Sequence, residues 1–188
     1  MKDLISLTNN LMIHNSAHIL YFYEDNQYYL QNLISYINEG IKRNHHIIVI
    51  EELPFWKEVQ KRVHKDKHKY IHFVDNQQYY QCYGDFNIHH IIQSFSDLLE
   101  PLLNEKLEVR TWAHVDWKKQ DNIIEKLDEF ECLADCSVKN MGLMSVCAYD
   151  ATKVSASIQT RLMRSHEYLM TDQELVQSSL YSIQHHHM

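Results

Sequence analysis

Five short runs of apolar residues along the chain predict buried β-strands. They are rich in β-branched and aromatic side chains, and their near-continuous hydrophobicity is typical of strands covered by other elements on both faces. The predicted strands span residues 18–23, 47–51, 70–75, 107–112 and 143–149. Residues 108–111 (EVRT) alternate between polar and apolar instead, so we expect the fourth strand to lie nearer an edge of its sheet.

Amphipathic helices are predicted between these strands. Apolar residues recur there at spacings of three and four, which is the period of one helix face. The helical stretches are residues 29–37, 88–102, 123–134 and about 155–168, with a shorter helix after Pro54. Asn87 suits the N-cap of the second stretch, the third begins after Asp121, and Gly40 suits the C-cap of the first.

The alternation of strands and helices predicts the fold class. Strand–helix–strand units with right-handed crossovers build a parallel sheet. We therefore expect one α/β domain, a three-layer parallel β-sheet flanked by helices, over residues 1–170. Residues 171–188 are expected to form a C-terminal helix or a frayed tail, and the three histidines near the end suit a trimmed tag as well as native sequence.

The composition excludes several classes of protein. The chain has 188 residues, of which 45% are hydrophobic and 23% are charged. These fractions are typical of folded globular proteins. No apolar run is long enough to span a membrane, and residues 1–6 lack the apolar core of a signal peptide, so we expect a cytoplasmic protein with no membrane contact. A net charge of −7 argues against a general nucleic-acid surface. The basic run at residues 57–69 is expected to be a solvated helix face and turn.

The scarcity of glycine excludes two phosphate-binding motifs. The chain contains only Gly40, Gly84 and Gly142. A GxxxxGK[ST] loop needs two glycines five positions apart, and a dinucleotide-binding GxGxxG turn needs three close together. The three glycines are far more widely spaced than either motif allows, so neither motif is present.

The residues at the predicted strand ends suggest a binding rim. In open parallel α/β sheets, ligands bind beyond the carboxyl ends of the strands. Polar, acidic or aromatic residues stand at all five ends: residues 23–26, 51–52, 75–76, 112–114 and 149–150. Loops prefer Asp, Asn and Glu in any case, so the same pattern also fits ordinary turns.

The cysteines and histidines give no clear catalytic or metal motif. Four cysteines are too few and too scattered for a disulfide framework, and Cys147 inside an apolar strand is expected to be inert packing. Cys132 and Cys136 share a predicted helix face, but CxxC spacing and further adjacent ligands are missing. His18 and His166 are expected to be structural. We therefore predict no catalytic residue and no metal ligand.

The order of several short motifs resembles the MEDS family, the methanogen/methylotroph sensory domain first associated with a regulator of dichloromethane metabolism. The resemblance covers roughly residues 14–170. The motifs are HILYFYED at 18–25, NEGI at 38–41, YY at 79–80 with GDF at 84–86, VR at 109–110, EFE at 129–131, VCAYD at 146–150 and RSH at 164–166.

This resemblance implies a fold similar to that of RecA/KaiC-type ATPases, in which the loop after the first strand holds the triphosphate. Here that loop is YEDNQ at residues 23–27, with no glycine, no lysine and two carboxylates that would repel phosphate. The resemblance therefore implies a nucleotide-binding scaffold without the Walker A loop, reused for sensing. We expect no helix-turn-helix or kinase module, so the signal would pass through a partner protein.

We expect a stand-alone sensory or regulatory domain, and not an enzyme. It would bind a small ligand or a regulatory partner protein at the strand-end rim and act in signal transduction or transcriptional regulation. Arg110 would pair with an anionic group or hold Glu24 or Asp150. Cofactors remain unassigned, a homo-oligomer is possible, and the alternatives are a degenerate NTPase or metal-dependent hydrolase, or a pure protein–protein interaction module. The ligand-binding candidates are His18, Tyr23, Glu24, Glu51, Arg110, Trp112, Tyr149 and Asp150.

Overall fold

A seven-stranded sheet forms the centre of the protein in a computed structural model that describes residues 4–81, 86–117 and 123–181. Its strands are β3 (Ala17–Tyr23), β4 (His46–Glu51), β5 (Ile71–Asp75), β6 (Val109–His114), β7 (Met144–Asp150), β8 (Tyr168–Met170) and β9 (Leu175–Gln177). The order is β5-β4-β6-β7-β3-β8-β9, and only β9 runs antiparallel to its neighbour. The predicted parallel sheet is confirmed.

One face of the sheet is covered by two helices and a hairpin. The elements are α1 (Asn26–Lys42), α2 (Leu53–Arg62) and the antiparallel pair β1 (Leu4–Ser6) and β2 (Met12–His14), which the sequence did not predict. Helix α1 buries Tyr29, Leu33, Tyr36 and Ile37 against the strands. These positions recur every three or four residues, so the periodicity predicted this buried stripe.

Four helices cover the opposite face, which completes the three layers. They are α3 (Asn76–Gln81), α4 (Ile88–Asn104), α5 (Ile123–Met141) and α6 (Ala156–Ser165), and a 3-10 turn (Lys65–Tyr70) leads into β5. Asn87 caps α4 as predicted, because its side chain accepts a hydrogen bond from the His90 N–H. Asp121, Cys82 and Gly84 lie outside the described residues. No helix in the described part of the chain is long and apolar enough to cross a membrane.

The expectation that the fourth strand lies near an edge is wrong. Strand β6 lies between β4 and β7, and all six of its residues are buried. The charged position in its alternating sequence is Arg110, which is itself buried. The Arg110 guanidinium lies 5.0 Å from the centre of the Tyr36 ring, and its Nε donates to His45 Nδ1 over 3.2 Å. A charged residue in the pattern therefore marked a buried polar contact and not a solvent-facing position.

Gly40 is not the C-cap of α1. The helix continues to Lys42, its C-cap is Arg43, and the left-handed residue that follows the cap is Asn44, with φ 62°. Gly40 is instead a point of close approach between α1 and the sheet. A Cβ atom there would lie 2.9 Å from Arg110 Cδ and would also clash with the Ile47 side chain.

Replacing Gly40 by Val is expected to lower the free energy of unfolding by about 2–3 kcal/mol. Overpacking a buried contact costs about 1–3 kcal/mol, and a β-branched residue gains little helix propensity over glycine. Chemical denaturation measures the loss. The matched control is Gln31→Val on the exposed side of the same helix, where we expect a change within about 0.5 kcal/mol; equal effects at the two positions would contradict the close approach.

The segment after α6 is a hairpin in the structure and not a helix. Strands β8 and β9 extend the sheet beyond β3, and the turn between them brings Asp172 to the start of α1. Its Oδ1 accepts a hydrogen bond from Tyr21 over 2.6 Å, while Asn32 Nδ2 donates to its backbone carbonyl over 3.0 Å. Residues 182–188, which include the terminal histidines, lie outside the described residues.

Candidate functional site

The carboxyl ends of the parallel strands bring several of the predicted site residues together. Tyr23 ends β3, Glu51 ends β4, and Tyr149 and Asp150 end β7. Glu24 follows β3 and is exposed. The parallel direction of the strands is what places these residues at one edge, as the sequence predicted.

A buried carboxylate organises this edge. Glu51 is fully buried, and its Oε1 accepts hydrogen bonds from His114 Nδ1 over 2.7 Å and from the Glu52 N–H over 2.8 Å. Its Oε2 accepts a short hydrogen bond from the Tyr29 hydroxyl. Both oxygens therefore have partners, as a carboxylate in an apolar interior requires.

His114 is the basic partner of this carboxylate. Burial alone would lower the pKa of His114, but the charge and hydrogen bond of Glu51 outweigh burial and raise that pKa above its ordinary value. The other ring nitrogen, Nε2, lies 2.9 Å from the Tyr23 hydroxyl. Burial and the charges of Asp150 and Glu51 raise the pKa of Tyr23, which keeps the phenol neutral and able to hydrogen-bond with His114 in either protonation state.

Trp112 supports the same network from the α1 side of the sheet. Its indole N–H donates to the Tyr29 hydroxyl over 2.9 Å, and its ring lies against Tyr21, Tyr29 and Tyr36 at centroid distances of 5.2–5.7 Å. Trp112 is completely buried. It therefore fixes the position of Tyr29 from within the core.

A cleft of about 800 Å³ opens beside this network at the ends of β6 and β7. Its buried floor is formed by His114 and Tyr149, and Trp117 stands at its side, 5.8 Å from the Tyr149 ring. The full lining is His114, Val115, Asp116, Trp117, Tyr149, Asp150, Lys153 and Val154. The volume lies within the range of small-molecule sites.

The charged residues of the cleft are arranged as a pair. Lys153 Nζ lies 3.2 Å from Asp150 Oδ2. Burial would raise the pKa of Asp150, but hydrogen bonds from Thr152 and from Lys153 outweigh it and lower that pKa. Asp150 is therefore an anion that can accept hydrogen bonds, and Lys153 is a cation that can turn toward an anionic group.

The start of α1, where a phosphate could bind a helix N-terminus, is closed by the chain itself. Asp25 accepts hydrogen bonds from the N–H groups of Gln27 and Tyr28 over 2.7 and 3.0 Å. Asp172 accepts from the N–H groups of Glu24 and Asp25 over 3.3 Å each. Two carboxylates thus occupy the backbone donors that an anion would need.

Two predicted site residues lie away from this rim. His18 and Arg110 are each the second residue of their strand, so the strand direction carries them toward the opposite edge. The expected pairing of Arg110 with Glu24 or Asp150 is wrong, since its contacts are with His45, Tyr36 and the backbone carbonyl of Ser6.

His18 belongs instead to a second buried cluster, between the sheet and helices α5 and α6. It faces Cys147 on β7, Glu131 on α5 and His166 just after α6, and all four side chains are buried. One nitrogen, oxygen or sulfur atom of each lies within 4.8 Å of the others. Within the described part of the chain, this is the group of side chains whose atoms could hold a metal ion.

Sequence reasoning missed several residues of both clusters. The sequence places His114 at a strand end, Tyr29 in an amphipathic helix and Glu131 in a short helix motif, but it marks none of them as a site residue. No spacing signal could select them, because each acts through partners remote in sequence. The one available signal is a charged residue on the buried face of an amphipathic helix, such as Glu131, which stands next to Phe130 and four residues after Leu127.

The fold and the closed N-terminus of α1 define the class of protein as a RecA-like α/β domain without a phosphate-binding loop. Similar solved structures include a KaiC-like protein from Pyrococcus horikoshii, with a TM-score of 0.58 and 12% identity over 85% of this chain and 72% of that one. The ATPase domain of G40P gives 0.52, with 6% identity over 84% and 69%. A type III secretion ATPase of pathogenic bacteria gives 0.55, with 7% identity over 90% of this chain and 56% of that one.

The chain belongs to the MEDS family. The family model, described as the methanogen/methylotroph, DcmR sensory domain, matches residues 17–167. The match starts at the first residue of β3 and ends just before β8, so it spans the five strands β3 to β7 and the helices between them. A sensory or regulatory role follows from this membership. No curated protein matches the chain.

Proposed function

We propose that this sensory domain binds a small organic ligand in the cleft at the ends of β6 and β7 and passes the signal to a partner protein in signal transduction or transcriptional regulation. The observation that carries the proposal is the position of the cleft. It lies at the strand-end rim, its floor is formed by His114 and Tyr149, and His114 belongs to the buried Glu51 network. The site thus couples an open surface to the packed interior.

The lining indicates the chemistry of the ligand. Trp117, Val115 and Val154 offer apolar contact area, while Asp150 and Lys153 offer one anion and one cation at the edge. A molecule with an apolar body and one polar or charged group fits this surface. The family description names methanogens and methylotrophs, and small carbon compounds of such organisms belong in a first panel of test ligands.

Hydrogen bonds connect the cleft to helix α1. A ligand that contacts His114 changes a ring that donates to Glu51, and Glu51 also accepts from Tyr29 on α1. A change in the His114 contact therefore alters the hydrogen-bonding of α1, a helix that packs on the face opposite to α5 and α6. We propose that this face, with α1 and α2, is where the partner protein reads the signal.

We propose no nucleotide hydrolysis. Asp25 and Asp172 accept hydrogen bonds from the backbone N–H groups at the start of α1, which a nucleotide phosphate would need. This supports a domain that binds its ligand in the cleft and does not hydrolyse nucleotides. A calorimetric titration with ATP and Mg²⁺ distinguishes the alternatives. Heat from ATP binding, together with the release of inorganic phosphate from ATP, would favour the degenerate NTPase.

Ligand-observed NMR with a diverse panel of small organic molecules is expected to identify binders whose signal depends on the cleft. Trp117→Ala should weaken a binder about tenfold, the factor that corresponds to about 1.4 kcal/mol of lost aromatic contact. Asp150→Ala should weaken binders that carry a hydrogen-bond donor or a cation by a similar factor, because it removes the anionic acceptor.

Two substitutions serve as matched controls. Glu24→Ala removes a carboxylate that lies at the same rim but outside the cleft lining. Trp56→Ala removes a tryptophan of α2 that stacks on Phe73, away from the cleft. Neither should change binding more than about twofold. The cleft is the wrong site if Trp117→Ala and Asp150→Ala bind as the wild type does.

A further inference from the structure

We propose that His18, Glu131, Cys147 and His166 bind one divalent transition-metal ion, with Zn²⁺ the best fit, in a closed site between the sheet and helices α5 and α6. Three of the side chains come from β3, α5 and β7, and the fourth, His166, directly follows α6. This inference is independent of the ligand cleft and does not rest on the proposed function.

The distances between the donor atoms fit tetrahedral coordination. His18 Nε2 lies 3.4 Å from Cys147 Sγ and 3.9 Å from Glu131 Oε2, and His166 Nε2 lies 3.4 Å from Glu131 Oε2. Zn²⁺ bonds of about 2.0–2.3 Å at tetrahedral angles place neighbouring ligand atoms about 3.3–3.8 Å apart. Small shifts of the side chains would therefore suffice to enclose an ion.

Both histidines are held in the tautomer that a metal ligand needs. His166 Nδ1 lies 2.7 Å from the Leu162 carbonyl, and His18 Nδ1 lies 3.2 Å from the Ser165 carbonyl and 3.3 Å from Asp135 Oδ1. Carbonyl oxygens only accept hydrogen bonds, so Nδ1 carries the hydrogen in each ring. The Nε2 lone pairs then face the centre of the cluster, as metal-binding histidines with a carbonyl or carboxylate partner do.

The carboxylate is oriented in the same way. The Tyr149 hydroxyl donates to Glu131 Oε1, which leaves Oε2 toward the cluster. Glu131 Oε2 and His166 Nε2 are buried and have no hydrogen-bond partner. Buried polar atoms without partners are rare in folded proteins because each costs free energy, and here the two point at the same place. A cation would satisfy both.

The charge of the donor set also suits a divalent ion. A thiolate and a carboxylate together carry two negative charges, which a divalent cation neutralises in a buried site where unpaired charge is costly. One thiolate with two imidazoles and a carboxylate is a set that suits Zn²⁺ rather than Mg²⁺ or Ca²⁺, since those ions take oxygen ligands. Four protein ligands and full burial make this a structural site and not an open catalytic one.

Co²⁺ is a suitable probe because its bond to a thiolate gives a charge-transfer absorption band, which the terminal histidines 185–187 cannot produce. We expect chelator-treated protein to gain this band with saturation at one Co²⁺ per chain, and Zn²⁺ to displace it. At a concentration about 100-fold above its Kd, Zn²⁺ should raise Tm by about 5–10 °C. Failure of the wild-type protein to develop the band would overturn the proposal.

Variants assign the ligands. Cys147→Ser should abolish the band, and Glu131→Gln and His166→Gln should weaken Co²⁺ binding more than about 100-fold, since losing a ligand costs more than the 10–100-fold cost of losing a ligand's partner. Cys136→Ser is the matched control, because this exposed thiol lies on α5 with Glu131. A band that survives Cys147→Ser but disappears in Cys136→Ser would place the metal elsewhere and refute the site.

A measurement on the unmodified protein covers the case in which a variant does not fold. X-ray absorption at the zinc edge of the wild-type protein with one Zn²⁺ bound should show one sulfur at about 2.3 Å and nitrogen or oxygen ligands at about 2.0–2.1 Å. Two sulfur ligands would point to Cys132 and Cys136, and no sulfur ligand would point to surface histidines. Either result contradicts the proposed site.

Discussion

Replacing Glu51 by Ala is expected to lower the free energy of unfolding by about 3–5 kcal/mol, the cost of removing one partner from a buried charged network. The substitution leaves the His114 ring and the Tyr29 hydroxyl without their acceptor in a site that is almost completely buried. Urea denaturation followed by circular dichroism measures the change as a lower midpoint at unchanged slope.

The neighbouring acidic residue supplies the control. Glu52 directly follows Glu51, and its side chain makes no capping hydrogen bond at the start of α2. Glu52→Ala should therefore change the free energy of unfolding by no more than about 0.5 kcal/mol. If the two variants lose similar stability, Glu51 does not hold the network together.

The pH dependence of the Glu51 effect tests its electrostatic part. The pKa of His114 is raised in the folded protein, so the ion pair stabilises fully below the unfolded pKa of about 6.5. That contribution is lost as the pH rises through the raised folded pKa. The cost of Glu51→Gln should thus be larger at pH 6 than at pH 9, whereas Glu52→Gln should show a clearly smaller difference, because Glu52 raises the pKa of His114 less than Glu51 does and makes no hydrogen bond to it.

Trp112→Ala is expected to cost about 3–5 kcal/mol, the usual price of removing a large buried aromatic ring. The indole fills the space between Tyr21, Tyr29 and Tyr36, and its N–H donates to the Tyr29 hydroxyl. Domains of this kind are stable by only about 5–15 kcal/mol, so the variant should melt at a markedly lower temperature. Circular dichroism is the measurement of choice because tryptophan fluorescence is itself altered.

Trp56→Ala is the comparison for this second substitution. Trp56 is only partly buried and stacks on Phe73 at 4.8 Å. Its removal should cost clearly less than that of Trp112, by at least about 1.5 kcal/mol, since a half-exposed site leaves no closed cavity. Equal losses would mean that Trp112 is not the centre of this aromatic group.

Tyr149 contacts both of the proposed sites. Its ring forms part of the cleft floor, and its hydroxyl donates to Glu131 in the proposed metal site. Burial raises the pKa of Tyr149 well above its ordinary value, and the negative charge of Glu131 adds to this, so the residue stays a neutral donor. A change in the cleft that moves Tyr149 would therefore change the orientation of the Glu131 carboxylate in the proposed metal site.

The sequence alone determined the fold class and the edge of the sheet where several of the candidate binding residues meet. Runs of apolar residues and three-to-four-residue spacings are local signals, and they predict the five strands β3 to β7 to within two residues at each end. The parallel sheet, the absence of a phosphate loop and the rim with Tyr23, Glu51 and Asp150 followed from these signals. The family resemblance was also readable, and the match over residues 17–167 confirms it.

Local signals failed where the structure depends on contacts between distant segments. The strand β9 was mistaken for a helix or a frayed tail, and β6 was expected nearer an edge, because a three-residue strand and a buried arginine have no distinctive periodicity. Gly40 looked like a helix end, although its role is to let α1 approach Ile47 and Arg110. In each case a neighbour remote in sequence decides the outcome.

The proposed metal site shows most clearly the difference between what local sequence signals predict and what contacts between distant segments decide. His18 and Cys147 lie 129 positions apart in the chain, and their side chains come within 3.4 Å only because β3 and β7 are adjacent in the sheet. Considered one at a time, His18 suits a structural histidine and Cys147 suits an inert buried thiol. The sequence determined which elements form, through local periodicity; the tertiary structure decided which side chains share a site, because that depends on strand order and helix packing.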